Sequence, residues 1–107
     1  MSTIESIYQR KLIKKLRLMF PGCVILKNDT DYLQGIPDLT ILYENMWAIL
    51  EVKRSSTEIC QPNQEWYIEE LNAMSFAAFI YPENEGDVLD ALQQTFGTTR
   101  SSRVSKR

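Results

Sequence analysis

The chain contains no histidine, and that absence removes a large share of enzyme chemistry. His–Cys zinc sites, Ser–His and Cys–His nucleophile systems, and nucleases built on a histidine base or nucleophile are all excluded. Any catalysis must run on carboxylates, lysine, hydroxyls and a borrowed metal ion. No apolar run is long enough to span a bilayer, and no signal peptide is read, so a cytoplasmic protein with no membrane partner is expected. Cysteine is scarce: Cys23 and Cys60 lack metal-ligand spacing and read as free thiols. No internal repeat is visible.

Lysine and arginine are missing from residues 55–99, which hold eight Asp/Glu. Residues 1–54 carry eight Lys/Arg against six Asp/Glu, and residues 100–107 carry four Lys/Arg and no acid. The net charge of −2 therefore conceals a basic and an acidic surface, unless the clusters are only solvated helix faces. A nucleic-acid backbone would favour the basic surface. At 107 residues, 44% apolar and 24% charged, the composition is that of one ordinary globular domain with a modest core.

Residues 35–53 organise the rest. They read as two apolar strands joined by a short polar turn. With Glu44 and Asn45 as the turn residues, Tyr43 pairs with Met46, Leu42 with Trp47, and Asp38 falls opposite Glu51. Residues opposed in this way have Cβ atoms roughly 4.5–5.5 Å apart on one face, and Lys53 shares that face because it lies two residues from Glu51. Carboxylates held so close repel each other unless something positive sits between them. A hard divalent cation fits, since Mg²⁺ takes one or two carboxylates plus waters and phosphate oxygens. Lys53 would then orient an attacking water or neutralise charge developing on a phosphate. The alternative is a surface hairpin whose charges are merely solvated. Against it, Glu51 and Lys53 directly follow the apolar run from Met46 to Leu50, where a solvated face is not expected.

Gly35-Ile36-Pro37-Asp38, a hairpin-length gap, Glu51-Val52-Lys53 and a glutamine in a following helix resemble the PD-(D/E)XK nuclease superfamily. Within it, the pattern is similar to the VRR-NUC (virus-type replication-repair nuclease) family in its small stand-alone phage and bacterial form. The resemblance runs from Glu5 to about Tyr81. It implies an α/β fold with a restriction-endonuclease-like core, a mixed β-sheet flanked by helices in the order αβββαβα. It also implies Mg²⁺ or Mn²⁺ bound by Asp38, Glu51 and the Val52 carbonyl, with Lys53 positioning or helping to activate water. Gln64 would contact water or phosphate at the site, and Glu5 would be the acidic residue of the first helix near the metal.

Taken in order, Ser2-Thr3-Ile4-Glu5 resembles a capping box before a helix over residues 3–19. Its apolar stripe is Ile4, Tyr8, Leu12, Leu16 and Met19, supported by Ile7 and Ile13. Arg10, Lys11, Lys14, Lys15 and Arg17 occupy the other faces and are candidate phosphate contacts, with Arg54 and Ser55 at the mouth of the site. Glu5 has two readings, a capping carboxylate or an active-site acid, and both ask for the same residue type. Pro21-Gly22 breaks the helix, and Cys23–Leu26 suits a central strand. Pro37 fixes the approach to Asp38. Pro62 starts a helix over residues 63–74 with Trp66, Tyr67, Ile68 and Leu71 as its apolar run and Gln64 in its first turn. Residues 75–81 read as a fully buried strand. A last helix through Val88, Leu89, Leu92 and Phe96 ends at Gly97. The chain thus divides into one nuclease-like domain, residues 1–97, and a basic mobile tail, residues 98–107, whose cations either touch DNA or only solubilise.

The function expected is a metal-dependent, structure-selective endonuclease hydrolysing phosphodiester bonds. By family implication it is a homodimer resembling a Holliday-junction resolvase, working in bacterial or phage-infected cytoplasm. Alternatives are a flap or single-strand nuclease, a non-cleaving nuclease-like DNA-binding module, or a small structural α/β protein that leaves the opposed carboxylates unexplained.

Overall fold

Among the described residues seven elements follow one another as α1 (Ile4–Met19), β1 (Val24–Lys27), β2 (Leu39–Tyr43), β3 (Met46–Val52), α2 (Pro62–Met74), β4 (Phe76–Ile80) and α3 (Glu85–Ser105). This is the expected αβββαβα order. The computed structural model describes residues 3–105, and the side chains of residues 3–97.

The four strands form one sheet in the order β1-β2-β3-β4. The first three are antiparallel, and β4 runs parallel to β3 after the α2 crossover. The sheet is therefore mixed, as expected. Leu42 pairs with Trp47 and Tyr43 with Met46, which leaves Glu44 and Asn45 as the two turn residues. Glu44 takes a left-handed φ of 60°, the backbone sign that tight two-residue hairpins demand.

Alternation along the strands sorts the core into two layers. Leu39, Ile41 and Tyr43 of β2, with Ala48, Leu50 and Val52 of β3, pack against Leu12, Leu16 and Phe20 near α1 and Leu89, Leu92 and Phe96 of α3. On the opposite face Ile49 and Ala77 pack against Ile68 of α2. Each fully buried Leu or Phe contributes about 1.5–3 kcal/mol relative to exposure, so the α1/α3 layer carries most of the stability. Glu51 and Lys53, two and four residues beyond Ile49, fall on the α2 face.

Several elements depart from the sequence expectation. β1 is an edge strand, pairing with β2 alone, and Val24 and Leu26 are exposed. A four-residue apolar run cannot distinguish centre from edge. β4, the other edge, is only partly buried. Ile4 and Ile7 are exposed, Ile4 lining a cleft with Glu5, Arg54 and Glu58. Trp66 is also exposed, leaving Ile68 as the buried residue of α2. The cap of α1 is Thr3, which exchanges hydrogen bonds with Ser6 at 2.9 and 3.0 Å. The box thus sits one residue later than expected, Ser2 lies outside the described residues, and Glu5 takes no part in it. α3 continues through Gly97 to Ser105, so Gly97 does not end it. The side chains of the basic stretch from Thr98 onward, and residues 106–107 entirely, lie outside the described residues. Among the described residues no helix is long and apolar enough to cross a membrane, and both cysteines are free.

Candidate functional site

The site is built at the open end of the β2–β3 hairpin. Leu39 pairs with Leu50, so the next step of the ladder sets Asp38 across from Glu51. Asp38 is anchored through main chain and side chain alike. Its carbonyl accepts from the Asn28 N–H at 2.8 Å, and its Oδ2 accepts from the Val52 N–H at 2.9 Å. Asn28 also donates through Nδ2 to the Pro37 carbonyl at 2.7 Å and accepts from the Thr40 hydroxyl at 3.1 Å. Pro37 is fully buried. The turn before β2 is thus stapled to the end of β1, and Asp38 is held rather than merely allowed.

Glu51 and Lys53 are each only 4% exposed, unusual for charged residues unless they are paired. Gln64, in the first turn of α2, bridges them. Its Nε2 donates to Glu51 Oε2 at 2.9 Å, and its Oε1 accepts from Lys53 Nζ at 2.8 Å and from the Gln61 N–H at 3.0 Å. Lys53 Nζ also donates to the Ile59 carbonyl at 3.4 Å. It lies 3.5 Å from Glu58 Oε2 and 3.9 Å from Glu51 Oε2. Glu51 Oε1, in contrast, is the one buried side-chain oxygen or nitrogen among the described residues with no hydrogen-bond partner.

The electrostatics follow from burial. Desolvation, then the neighbouring Asp38 charge, pushes the Glu51 carboxyl up to about 8 against the partial relief of Lys53. Burial also raises Asp38, offset in part by the Val52 N–H and by Lys53. Glu5 is raised first by burial, then by the charges of Glu58 and Asp38, while Lys53 and Arg54 act the other way. Glu5 therefore feels the same charges, and with Thr3, Ile4, Arg54 and Glu58 it lines a cavity of about 410 Å³. An unpartnered carboxylate oxygen beside a second carboxylate and a buried ammonium is an arrangement suited to binding a hard cation and an anionic oxygen next to it.

No family model matches the chain, and no curated protein matches it. Solved structures do. One described as "VRR_NUC domain" superposes with a TM-score of 0.68 at 16% identity, covering 83% of this chain and 97% of that one. A second, "VRR_NUC domain protein", gives 0.62 at 16% identity over 89% of each chain. The chain has the VRR_NUC fold.

On this VRR_NUC fold Asp38, Glu51, Lys53 and Gln64 come together, and Glu5 lies near enough to feel the charges of Asp38 and Lys53. Val52 contributes its N–H to Asp38, while its side chain is buried in the α1/α3 layer. Among the described residues no group of three or more His, Cys, Asp or Glu side chains is arranged to hold a metal ion. The donors that fit one are the pair Asp38 and Glu51, all-oxygen and with Glu51 Oε1 unpartnered.

The basic residues proposed for phosphate contact divide. Arg54 stands at the cleft with its side chain 63% exposed, its Nε 3.8 Å from Glu58 Oε1. Ser55 Oγ lies 2.9 Å from Thr57 Oγ1 within the same loop. Arg10, Lys11, Lys14, Lys15 and Arg17 are exposed along α1, but Lys15 is about 15 Å along the helix axis from Glu5. Lys15 instead forms an ion pair with Glu85, which the Tyr8 hydroxyl joins at 2.8 Å. Burial alone would raise the Glu85 carboxyl, yet these two donors hold it below its ordinary value. Lys15 therefore clamps α1 to α3, a role the sequence does not advertise.

Two residues of the site escaped the sequence reading. Asn28 lies in a polar stretch, and its one signal is that a carboxamide just after an apolar strand is a common device for tying a turn. Glu58 carries no signal at all: it is one acid in the polar stretch after Lys53.

Proposed function

We propose that the protein is a Mg²⁺- or Mn²⁺-dependent endodeoxyribonuclease of the PD-(D/E)XK type that hydrolyses phosphodiester bonds in branched DNA. It would act in the manner of a Holliday-junction resolvase and as a homodimer, whose two sites suit paired nicks. The observation that carries the reading is Glu51: a buried carboxylate with one oxygen unpartnered, set across from Asp38 and within 3.9 Å of a buried lysine. Burying such a group without a partner costs stability, and neither DNA binding alone nor a structural role requires it. The VRR_NUC domains that share the fold point the same way by name.

Asp38 and Glu51, with the Val52 carbonyl, would hold the metal, which supplies polarisation of the phosphate and a lowered pKa for water. Lys53 contributes a fixed ammonium that orients the attacking water and stabilises charge developing on the phosphate oxygens. Gln64 keeps Lys53 and Glu51 in register through its two hydrogen bonds. Glu5 closes the far wall of the cleft and adds negative field toward the cation. Arg54, Ser55 and, on α1, Arg10, Lys11, Lys14 and Arg17 would contact the DNA backbone.

The test is cleavage of labelled four-way junction, flap, single-stranded and plain duplex DNA in Mg²⁺ or Mn²⁺, with Lys53→Ala beside the wild type. Symmetric nicks in the junction are expected, reduced at least ~10²–10³-fold in the variant. Cutting confined to flaps or single strands would discard the branched-junction assignment. Junction binding with no cleavage of any substrate would replace the nuclease reading with a binding module.

A further inference from the structure

The geometry points to Glu58 as a positioning residue. Its carboxylate sets the Lys53 ammonium beside Glu51 and holds Arg54 at the rim of the neighbouring cleft that Glu5 lines. The inference concerns residues whose catalytic use rests on the nuclease reading above, but the contacts themselves do not depend on it.

Lys53 directly follows β3 on a flexible four-carbon stem, and nothing in the strand fixes where its nitrogen lies. The acceptors that fix it come from two later segments. Gln64 on α2 takes one hydrogen bond at 2.8 Å and the Ile59 carbonyl a second at 3.4 Å. The third direction is toward Glu58 Oε2 at 3.5 Å, nearer than the Glu51 oxygen at 3.9 Å. Lys53 is buried and the Glu58 side chain is only 21% exposed, so this pair is screened far less than a surface one.

The other carboxylate oxygen faces the opposite way. Glu58 Oε1 accepts from the Arg54 N–H at 2.9 Å and lies 3.8 Å from Arg54 Nε. The Glu58 N–H in turn reaches the Ser55 carbonyl at 3.3 Å. One side chain thus folds residues 54–58 around itself and gathers two consecutive cations, one buried and one exposed. Both oxygens are engaged, which sets Glu58 apart from Glu51 with its free Oε1. Arg54 lines one cavity with Glu5 and Glu58, Lys53 lines a second of about 380 Å³, and Glu58 is the residue common to both.

A bland role is also open to this residue, since a carboxylate on the Arg54 N–H could simply brace the loop. Glu58→Gln separates the two, because an amide oxygen still accepts from that N–H while the negative charge is gone. The experiment uses the full chain. One readout is the ¹⁵N–¹H signal of the Lys53 ammonium, identified by its absence in Lys53→Ala. The other is the steady-state cleavage of four-way junction DNA with Mg²⁺.

In Glu58→Gln the Lys53 signal is expected to broaden by faster exchange with water. The kcat should fall at least tenfold while KM changes less than twofold, and Glu58→Asp should recover part of the loss. If Glu58→Gln does not fold, Glu58→Asp, which keeps the charge but shortens its reach, should still broaden the Lys53 signal relative to wild type. An unmoved Lys53 signal in these variants overturns the proposal, whatever happens to the rate. A wild type that cuts no DNA, while Glu58→Gln still releases Lys53, would sink the nuclease reading and leave the positioning role standing.

Discussion

The β2–β3 hairpin is buried at both ends, and the two ends use burial for opposite purposes. At the turn end Tyr43 packs with Phe20 and Phe96, the three ring centroids 5.3–5.6 Å apart and each residue at most 2% exposed. At the open end Glu51 and Lys53 are almost as inaccessible, at 4%. The first end is apolar and well packed, so every contact stabilises. The second holds an ionisable pair and an orphaned oxygen, so its burial works against the fold. Depth alone therefore does not identify a core; the chemistry of what is buried does.

The largest effect should come from breaking the apolar end. Phe96→Ala removes the ring that touches both Phe20 and Tyr43, and such a truncation costs about 3–5 kcal/mol. Urea denaturation measures it, and cleavage by the fraction that remains folded should be unchanged. A loss below about 1 kcal/mol would mean that the aromatic cluster is not where this fold gains its stability.

At the other end the sign should reverse. The Glu51 carboxyl, ordinarily near 4.5, rises to about 8 in the folded chain, by desolvation first and then by Asp38. Its proton is bound more tightly folded than unfolded. The stabilisation it gives is therefore complete below about pH 4.5 and is lost as the pH rises through about 8. Thermal melts of the metal-free protein should show the wild type losing ground against Glu51→Gln across that window. Parallel curves for the two proteins would remove the cost assigned to this carboxylate.

Much of this contrast was open to sequence reasoning, and the rest was hidden for physical reasons. The hairpin register follows from a two-residue turn between apolar strands, so Asp38 falls across from Glu51 by arithmetic. That Glu51 and Lys53 share one face and Val52 takes the other also follows, from period-two alternation; that α2 covers the first face does not. Gln64 was suggested by the resemblance, but its double hydrogen bond was not, because that depends on how α2 docks. Glu58 and Asn28 act through loops, where contact is set by chain path and leaves no periodic trace. Trp66 and Ile4 misled for the converse reason: an apolar residue at helical spacing marks a face, not what covers it. Lys15, read as a phosphate contact, is occupied by Glu85, a partner seventy residues away that no local pattern reveals.

The finest test of the comparison uses two glycines with nearly the same backbone. Gly22 and Gly35 have φ of 89° and 90°, a region that costs a side chain roughly 1–2 kcal/mol. At Gly22 an added Cβ meets nothing within 4 Å, so Gly22→Ala should lose only that strain and leave cleavage alone. At Gly35 the added carbon would lie 2.5 Å from Asn63 Cβ and 3.2 Å from the Asn63 carbonyl carbon. Those atoms belong to the first turn of α2, one residue before Gln64, and they cannot swing away as a side-chain tip would. Gly35→Ala should therefore cost up to about 1–3 kcal/mol more than its partner. It should also lower cleavage on the order of tenfold by displacing Gln64 from Glu51 and Lys53. Equal stability and equal activity in the two variants would show that the close approach of the turn before Asp38 to α2 does not set the site. A gap in both would tie the glycine before Ile-Pro-Asp to the placement of a residue nearly thirty positions later.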